Sequence, residues 1–521
     1  MTMRSLYYFS CFLKAAFNSL PHLLILVFFI SLKFFTTTVW AKEQKQALPV
    51  SIASSYQNNL PQANNAVLWT RLSDKRVLAE LNSDALLSPA SLTKLITAAA
   101  ALDQYGPSFT HKTPVMFTGE RRNGVIEGDL VFVGSGDPYL VSEILWQAAV
   151  DLKHLGIEEV KGALVIDNSL FDDEARDRSR TNSAKRSQNA YDAPIHSLSV
   201  NFNTATVAIA PHPSAPQAYI QLSPSRLQNL ELDAQVKTVP GKGNQDLSVD
   251  RTSTPTGATK LSVRGTIGRE ASLKKIYRSV SDGEETSAAY VRYFLGEQGI
   301  KISGPTKFSK TPPNAKLLHV IEGYDMRKVV SGLNVFSNNF IADMLTKRLS
   351  IADSIDDANP ASWALSQNKT SATLASGSKT LVSFLQNQVG IKGSFTIENG
   401  SGLDTRNRLS AKHISQVLNW VESQGEMFPD FLGTLPANGL DGTMRRRKSS
   451  KGLPLGLIRA KTGTLTEPLS VCGIAGYFRH SIHGWTSFVI LTNGIQGKGQ
   501  PSVQAIRDYQ DRLLSQMVAS K

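Results

Sequence analysis

Leu87-Ser88-Pro89-Ala90-Ser91-Leu92-Thr93-Lys94-Leu95-Ile96-Thr97-Ala98-Ala99-Ala100-Ala101-Leu102 reads as a helix that begins with a reactive pair. Ser88 is a good N-cap, Pro89 suits the first helical position, and the alanine run is strongly helix-forming. Ser91 then falls in the first turn, where backbone N–H groups lack intrahelical partners. Lys94, three residues on, shares its helix face and is within reach of its hydroxyl. A serine hydroxyl is a poor nucleophile until a neighbour takes its proton, and a lysine does so only when neutral.

Working outward, residues 66–80 alternate apolar and polar around Ser73-Asp74-Lys75-Arg76, the pattern of a β-hairpin. Between Lys94 and Ser337 lie 242 residues with strand-like runs such as Asp129–Val133 and Ala163–Asp167, and turn-rich stretches near 172–190 and 239–258. This block predicts one or two inserted, largely β, domains. Ser337-Asn338-Asn339 then precedes a helical run, Phe340–Leu345. The C-terminal end predicts strands near 457–466, 470–479 and 485–493 and an amphipathic helix over 502–518. Its short connections imply an antiparallel sheet covered by helices.

Lys461-Thr462-Gly463 lies on the first of those strands and occurs once. SxxK and SxN recur elsewhere, as at Ser272/Lys275 and Ser199/Asn201, so neither is informative alone. Order and context single out Ser91, Ser337 and Lys461. Burial and a second cation, Lys461, would both lower the Lys94 pKa. Ser337 is placed to bridge the lysines and relay a proton to a leaving amine. Asn339 would bind a substrate carbonyl or steady Lys94. The Ser91 and Thr464 N–H groups are the natural pair for an oxyanion. Thr462, Gly463 and Thr464 form the expected substrate-binding strand, with the two threonine hydroxyls beside Lys461 suited to a carboxylate.

This set of three motifs is the known pattern of penicillin-binding proteins and serine β-lactamases. Further segments are Pro89–Leu95, Val133-Gly134-Ser135-Gly136-Asp137-Pro138, Ser337–Asp343, Glu398-Asn399-Gly400-Ser401-Gly402-Leu403, Leu440-Asp441-Gly442-Thr443-Met444 and Arg459–Leu465. With them the chain resembles the exported D-alanyl-D-alanine carboxypeptidase/endopeptidases of the low-molecular-mass class C penicillin-binding proteins, serine peptidases of the S13 type. Asn338 departs from the more usual Asp. The resemblance implies an α+β fold with a transpeptidase-like domain over 42–115 and 321–521. It also implies inserted domain II over 116–190 and 262–320, and inserted domain III over 191–261. It further implies peptidoglycan stem peptides and β-lactam antibiotics as partners. A serine β-lactamase and a noncatalytic cell-wall-binding protein are the competing readings; no E-x-x-L-N lies between the first two motifs. Gly400-Ser401-Gly402 reads as a tight turn near the site, and Arg445-Arg446-Arg447-Lys448 as a solvated loop.

Residues 1–41 carry Arg4, Lys14 and Lys33 and no acidic residue, with an apolar run from Leu23 to Val39. They read as a signal peptide cleaved after Ala41, with a retained anchor as the alternative, so the expected location is periplasmic. The net charge of +13 would fall to +10 on cleavage, which suits an acidic cell-wall polymer or peripheral association with an anionic membrane surface. Cys472, the one cysteine outside the leader, sits in an apolar run and reads as a small buried hydrophobe. No phosphate loop, CxxC pair, HExxH or RNA-binding signature is present, so no cofactor, metal or nucleic acid is expected.

Overall fold

The structure is a computed structural model that describes residues 56–177, 188–223, 227–352, 356, 358–366, 370–447 and 452–520. All of these lie in the unit Ala53–Lys521, so the leader falls outside the described residues. Among them no helix is long and apolar enough to cross a membrane.

Five strands form the sheet beside the motifs: β1 (Ala63–Arg71), β2 (Val77–Leu81), β3 (Arg459–Leu465), β4 (Val471–His480) and β5 (Gly484–Gly494). Their order is β3-β4-β5-β1-β2, and every neighbouring pair is antiparallel. The hairpin and the three C-terminal strands stand where the alternation placed them. β4 and β5 are apolar on both faces because both are covered. Tyr477 and Cys472, an odd number of residues apart on β4, point to opposite sides. Tyr477 Oη donates to the Leu418 carbonyl of the helix Ala411–Ser423, at 2.8 Å. On the other face, Gln510 Nε2 from the C-terminal helix Val503–Ala519 donates to the Cys472 carbonyl. Cys472 is buried, as its run of neighbours predicts.

Helix α1 (Thr93–Tyr105) is buried along its whole length from Thr93 to Leu102. It packs against α2 (Met326–Phe336), α3 (Asn339–Leu349) and the helix Ala411–Ser423. Burying each of Leu92, Leu95 and Ile96 contributes about 1.5–3 kcal/mol, and the small alanines between them let the neighbouring helices come close.

The insertion leaves and rejoins this body through one antiparallel pair, Thr110–Phe117 with Lys316–Asp325. That pair belongs to a five-stranded sheet whose inner strands Leu130–Val133 and Leu164–Asp167 run parallel. A four-stranded sheet and two three-stranded sheets complete the insertion. Helices Ser142–His154 and Gly283–Glu297 pack against each other, the first against Lys316–Asp325 and the second against Leu164–Asp167. Strand pairing crosses three of the expected boundaries. Positions 115/116 and 320/321 fall inside the connecting pair, and 261/262 falls inside Thr259–Gly268. Lys274–Ser279 pairs with Thr204–Ala210, so hydrogen bonding joins it to the 191–261 block. Composition marks turns, and sheet membership here is set by long-range pairing.

Candidate active site

The serine stands on a 3₁₀ turn, Ala90–Leu92, immediately before α1. This corrects the expectation that Ser88 caps the helix. No side chain caps α1, and among the described residues the buried Ser88 hydroxyl has no hydrogen-bond partner. Ser88 is held instead by its backbone: its N–H donates to Asn493 Oδ1 at 2.8 Å, and Asn493 Nδ2 donates to its carbonyl at 3.1 Å. The chain then turns at Ala90, whose φ of +47° is unusual for a residue with a Cβ. Thr93 Oγ1 closes the turn on the Ala90 carbonyl at 2.9 Å.

Two glycines let other segments reach this turn. A Cβ at Gly463 on β3 would stand 2.9 Å from the Pro89 oxygen and 3.0 Å from the Ser91 nitrogen. One at Gly402, where φ is +75°, would fall onto the Ala90 carbonyl.

Lys94 is fully buried, and its Nζ donates to groups that include three acceptors among the described residues. They are Ser91 Oγ at 3.0 Å, Asn339 Oδ1 at 2.7 Å and the Ser401 carbonyl. The Asn339 amide is oriented from its other end, where Nδ2 donates to the Tyr191 carbonyl at 3.1 Å. Of the two roles open to Asn339, the structure displays the one that steadies Lys94.

Lys461 is also fully buried, with Nζ donating to Ser337 Oγ at 2.8 Å and to the Thr462 carbonyl at 2.6 Å. Burial pulls its pKa down to about 7. The second cation read from the sequence is therefore one that loses its proton near neutrality. Ser337 does not start a helix. It sits between α2 and α3 in the left-handed region, φ +55°. Asn338 is the N-cap of α3, its Oδ1 accepting from the Ile341 N–H at 3.2 Å. Asp caps a helix as well as Asn, so Asn338 fills here the structural place that the more usual Asp would fill.

The predicted residues thus gather into two hydrogen-bonded groups, Ser91–Lys94–Asn339 and Ser337–Lys461, which meet where Gly463 approaches Ser91. Thr462 Oγ1 donates to Thr443 Oγ1 at 2.8 Å, and Arg507 Nη2 donates to Thr464 Oγ1 at 3.1 Å. Thr443, Arg507, Tyr191 and the Ser401 carbonyl carry no role in the sequence reading. Ser401 is fully buried in the turn Asn399–Gly402. Asn399 Oδ1 accepts from the Gly402 N–H at 2.9 Å, and Thr97 Oγ1 donates to the Gly400 carbonyl at 2.9 Å. Asn399 Nδ2 donates to the Asp177 carboxylate. This makes 400–402 a structural turn. The basic run is not wholly solvated: Arg447 is buried against Asp511 and Gln510, while Lys448 lies outside the described residues. Among the described residues no cluster of His, Cys, Asp and Glu is suited to a metal ion.

Residues 50–517 match the D-Ala-D-Ala carboxypeptidase 3 (S13) family. The chain is 23% identical over 470 residues to the D-alanyl-D-alanine carboxypeptidase DacB of Haemophilus influenzae, covering 88% of this chain and 93% of that protein. It is 25% identical over 439 residues to a D-alanyl-D-alanine carboxypeptidase of Actinomadura sp. (strain R39), covering 80% and 75%. The crystal structure of penicillin binding protein 4 (dacB) from H. influenzae superposes with a TM-score of 0.71 at 22% identity, over 89% of this chain and 99% of that one. A second structure of that protein, complexed with a β-lactam, gives 0.67 over 90% and 99%, also at 22% identity.

Proposed function

The chain belongs to the S13 family and is a serine-type D-Ala-D-Ala carboxypeptidase; on that premise we propose that Ser91 is its nucleophile and Lys94 its base. The observation that carries this is the 3.0 Å contact between Lys94 Nζ and Ser91 Oγ, with the lysine held by Asn339 and Ser401. Neutral Lys94 takes the hydroxyl proton as Ser91 Oγ attacks the carbonyl of the penultimate D-alanine. The new oxyanion is received by the N–H groups of Ser91 and Thr464, on the turn and strand that Gly463 brings together. Collapse expels D-alanine, whose amine takes a proton through Ser337, the hydroxyl bonded to Lys461. Water then cleaves the acyl-enzyme. Lys461, Thr462 and Thr464 receive the substrate carboxylate.

The same acyl transfer on a cross-link, where the leaving amine belongs to a second peptide, gives DD-endopeptidase activity. A β-lactam offers a carboxylate and a strained amide to the same groups, and a relative of this fold has been crystallised with one. We place the mature protein in the periplasm, in peripheral contact with an anionic membrane surface. That reading rests on the basic, apolar leader and the positive net charge.

Intact-mass measurement after exposure to benzylpenicillin tests the reading. One long-lived adduct on Ser91 is expected, none in Ser91→Ala, and release of D-alanine from a peptide ending D-Ala-D-Ala but not from its L-Ala-L-Ala counterpart. Rapid turnover of the drug would mark a β-lactamase, and no adduct a noncatalytic binder.

A further inference from the structure

The three side chains of β3 suited to a carboxylate leave a gap in its chemistry. Thr462 and Thr464 are neutral hydroxyls, and burial brings the Lys461 pKa to about 7, so above neutrality none of the three keeps a charge. Lys461 Nζ is also engaged already, with Ser337 Oγ at 2.8 Å and the Thr462 carbonyl at 2.6 Å. A carboxylate that leaves water for this strand needs a cation that holds its proton, and a guanidinium does so at any working pH.

The C-terminal helix Val503–Ala519 supplies one. It packs on β4, and from it the half-buried Arg507 reaches β3, where Nη2 donates to Thr464 Oγ1 at 3.1 Å. Among the described residues no carboxylate pairs with Arg507. Arg447 differs, because its guanidinium is matched by Asp511 of the same helix. An arginine that served only to clamp the helix would gain more from such a partner than from a neutral hydroxyl. Cys472 stands opposite Thr464 in the β3–β4 ladder, and burial pushes its thiol up, so it brings no negative charge to offset the guanidinium. The bond also has a direction. A guanidinium only donates, so Thr464 Oγ1 is the acceptor and its own hydrogen is left to give. Thr464 follows Gly463, the residue that lies against the Ser91 nitrogen, so this hydroxyl and the cation behind it stand beside the reacting bond.

We propose that Arg507 is a specificity-determining residue, the permanent cation that draws a free carboxylate of the substrate or β-lactam to β3 and sets the Thr464 hydroxyl to donate to it. The inference deepens the acyl-enzyme reading and rests on it. Arg507 acts on the carboxylate largely through Thr464, and its effect belongs to that one group of the ligand.

The test compares acylation by benzylpenicillin with acylation by its methyl ester, which has the same strained amide and no carboxylate charge. The ratio of the two second-order rate constants is read at about pH 8, above the Lys461 pKa, on the wild type, Arg507→Gln and Arg507→Lys. Taking both rates on the same preparation cancels any loss of folded protein. The ratio of acid to ester is expected to fall about tenfold in Arg507→Gln, the order of effect of losing one charge-assisted hydrogen bond. Arg507→Lys, which keeps the charge, is expected to hold the ratio within about threefold of wild type. Equal slowing of acid and ester in Arg507→Gln would reduce Arg507 to a clamp between helix and strand and overturn the inference, with Ser91 acylation intact. A ratio that falls as far in Arg507→Lys as in Arg507→Gln would overturn the permanent charge as its cause. Absence of any benzylpenicillin adduct on the wild type overturns the acyl-enzyme reading and this inference with it.

Discussion

Asp177, carried by the insertion, accepts a hydrogen bond from the side-chain amide of Asn399 and so touches the turn whose Ser401 carbonyl receives the Lys94 ammonium. The insertion reaches the lysine a second way, through the Tyr191 carbonyl that orients Asn339. The insertion thus bears on the proposed catalytic groups through the residues that hold Lys94, without touching Ser91. Asp177→Ala is expected to slow benzylpenicillin acylation about tenfold, the cost of leaving one buried amide unsatisfied. Stopped-flow acylation beside thermal melts checks this. An unchanged rate constant with a lowered Tm would reduce Asp177 to a purely structural role.

Gly463→Ala is expected to cut acylation by at least a hundredfold while the protein stays folded. The new methyl would press on the Pro89 oxygen and Ser91 nitrogen, pushing β3 away from the turn. Edge strand β3 has one strand partner, β4, so it is free to shift without unravelling the sheet. Circular dichroism and adduct formation together check the outcome.

Lys461 gives a pH dependence of stability with a definite sign. Burial brings its folded pKa to about 7, below the ordinary lysine value of 10.5. Between those values the unfolded chain holds a proton that the folded chain does not, so this contribution to stability rises with pH across that window. Below about 7 both states hold the proton and the burial penalty is felt in full. Relative to Lys461→Met, the wild type should gain about 2 kcal/mol between pH 7 and pH 9. Urea denaturation at the two pH values measures it, and a flat difference would refute the shifted lysine.

The same titration bears on substrate binding. As pH rises through about 7 the free enzyme loses the Lys461 charge, so KM for a peptide ending in a free carboxylate should climb. KM for the amidated peptide should not follow. Thr462→Val should likewise weaken the carboxylate-bearing peptide far more than its amide. Equal effects on both peptides would show that β3 does not read the carboxylate.

Ser88→Ala separates the helix read from sequence from the turn that is present. An N-cap serine would cost about 1 kcal/mol to remove. The buried Ser88 hydroxyl has no partner among the described residues, so its loss should change stability by less than about 0.5 kcal/mol. Denaturant midpoints distinguish the two.

That contrast shows where the sequence is legible. Ser91, Lys94, Ser337 and Lys461 could be singled out because the chemistry proposed for each motif needs particular side chains within a short stretch of sequence. The strands β3 to β5 could be found because their apolar runs and short turns are local signals. The Ala90 turn could not, because a positive φ at a non-glycine residue has no local signal, and the groups around that turn, Asn493, Gly402 and Gly463, come from distant segments. The Ser401 and Tyr191 carbonyls were hidden for another reason: any residue type has a carbonyl, so identity says nothing about its use. Asp177 and Asn399 lie 222 positions apart, and only folding makes them neighbours. Sheet membership in the insertion is hidden in the sequence for the same cause, since Lys274–Ser279 finds its partner Thr204–Ala210 far back along the chain.

The pairing of β1 with β5 ties the beginning of the described chain to its end. Lys461 and the strand that flanks the nucleophile arrive only with the residues after 458. A ribosome part-way through this message therefore carries a serine that has neither its second lysine nor its neighbouring strand. Hydrolytic power appears late and all at once, when the final hairpin docks on a hairpin made hundreds of residues earlier. Such closure is slow, because distant segments must meet before either is rewarded. Loss of the residues from 459 onward would then remove Lys461 and its strand, and silence the molecule as completely as loss of the proposed nucleophile Ser91.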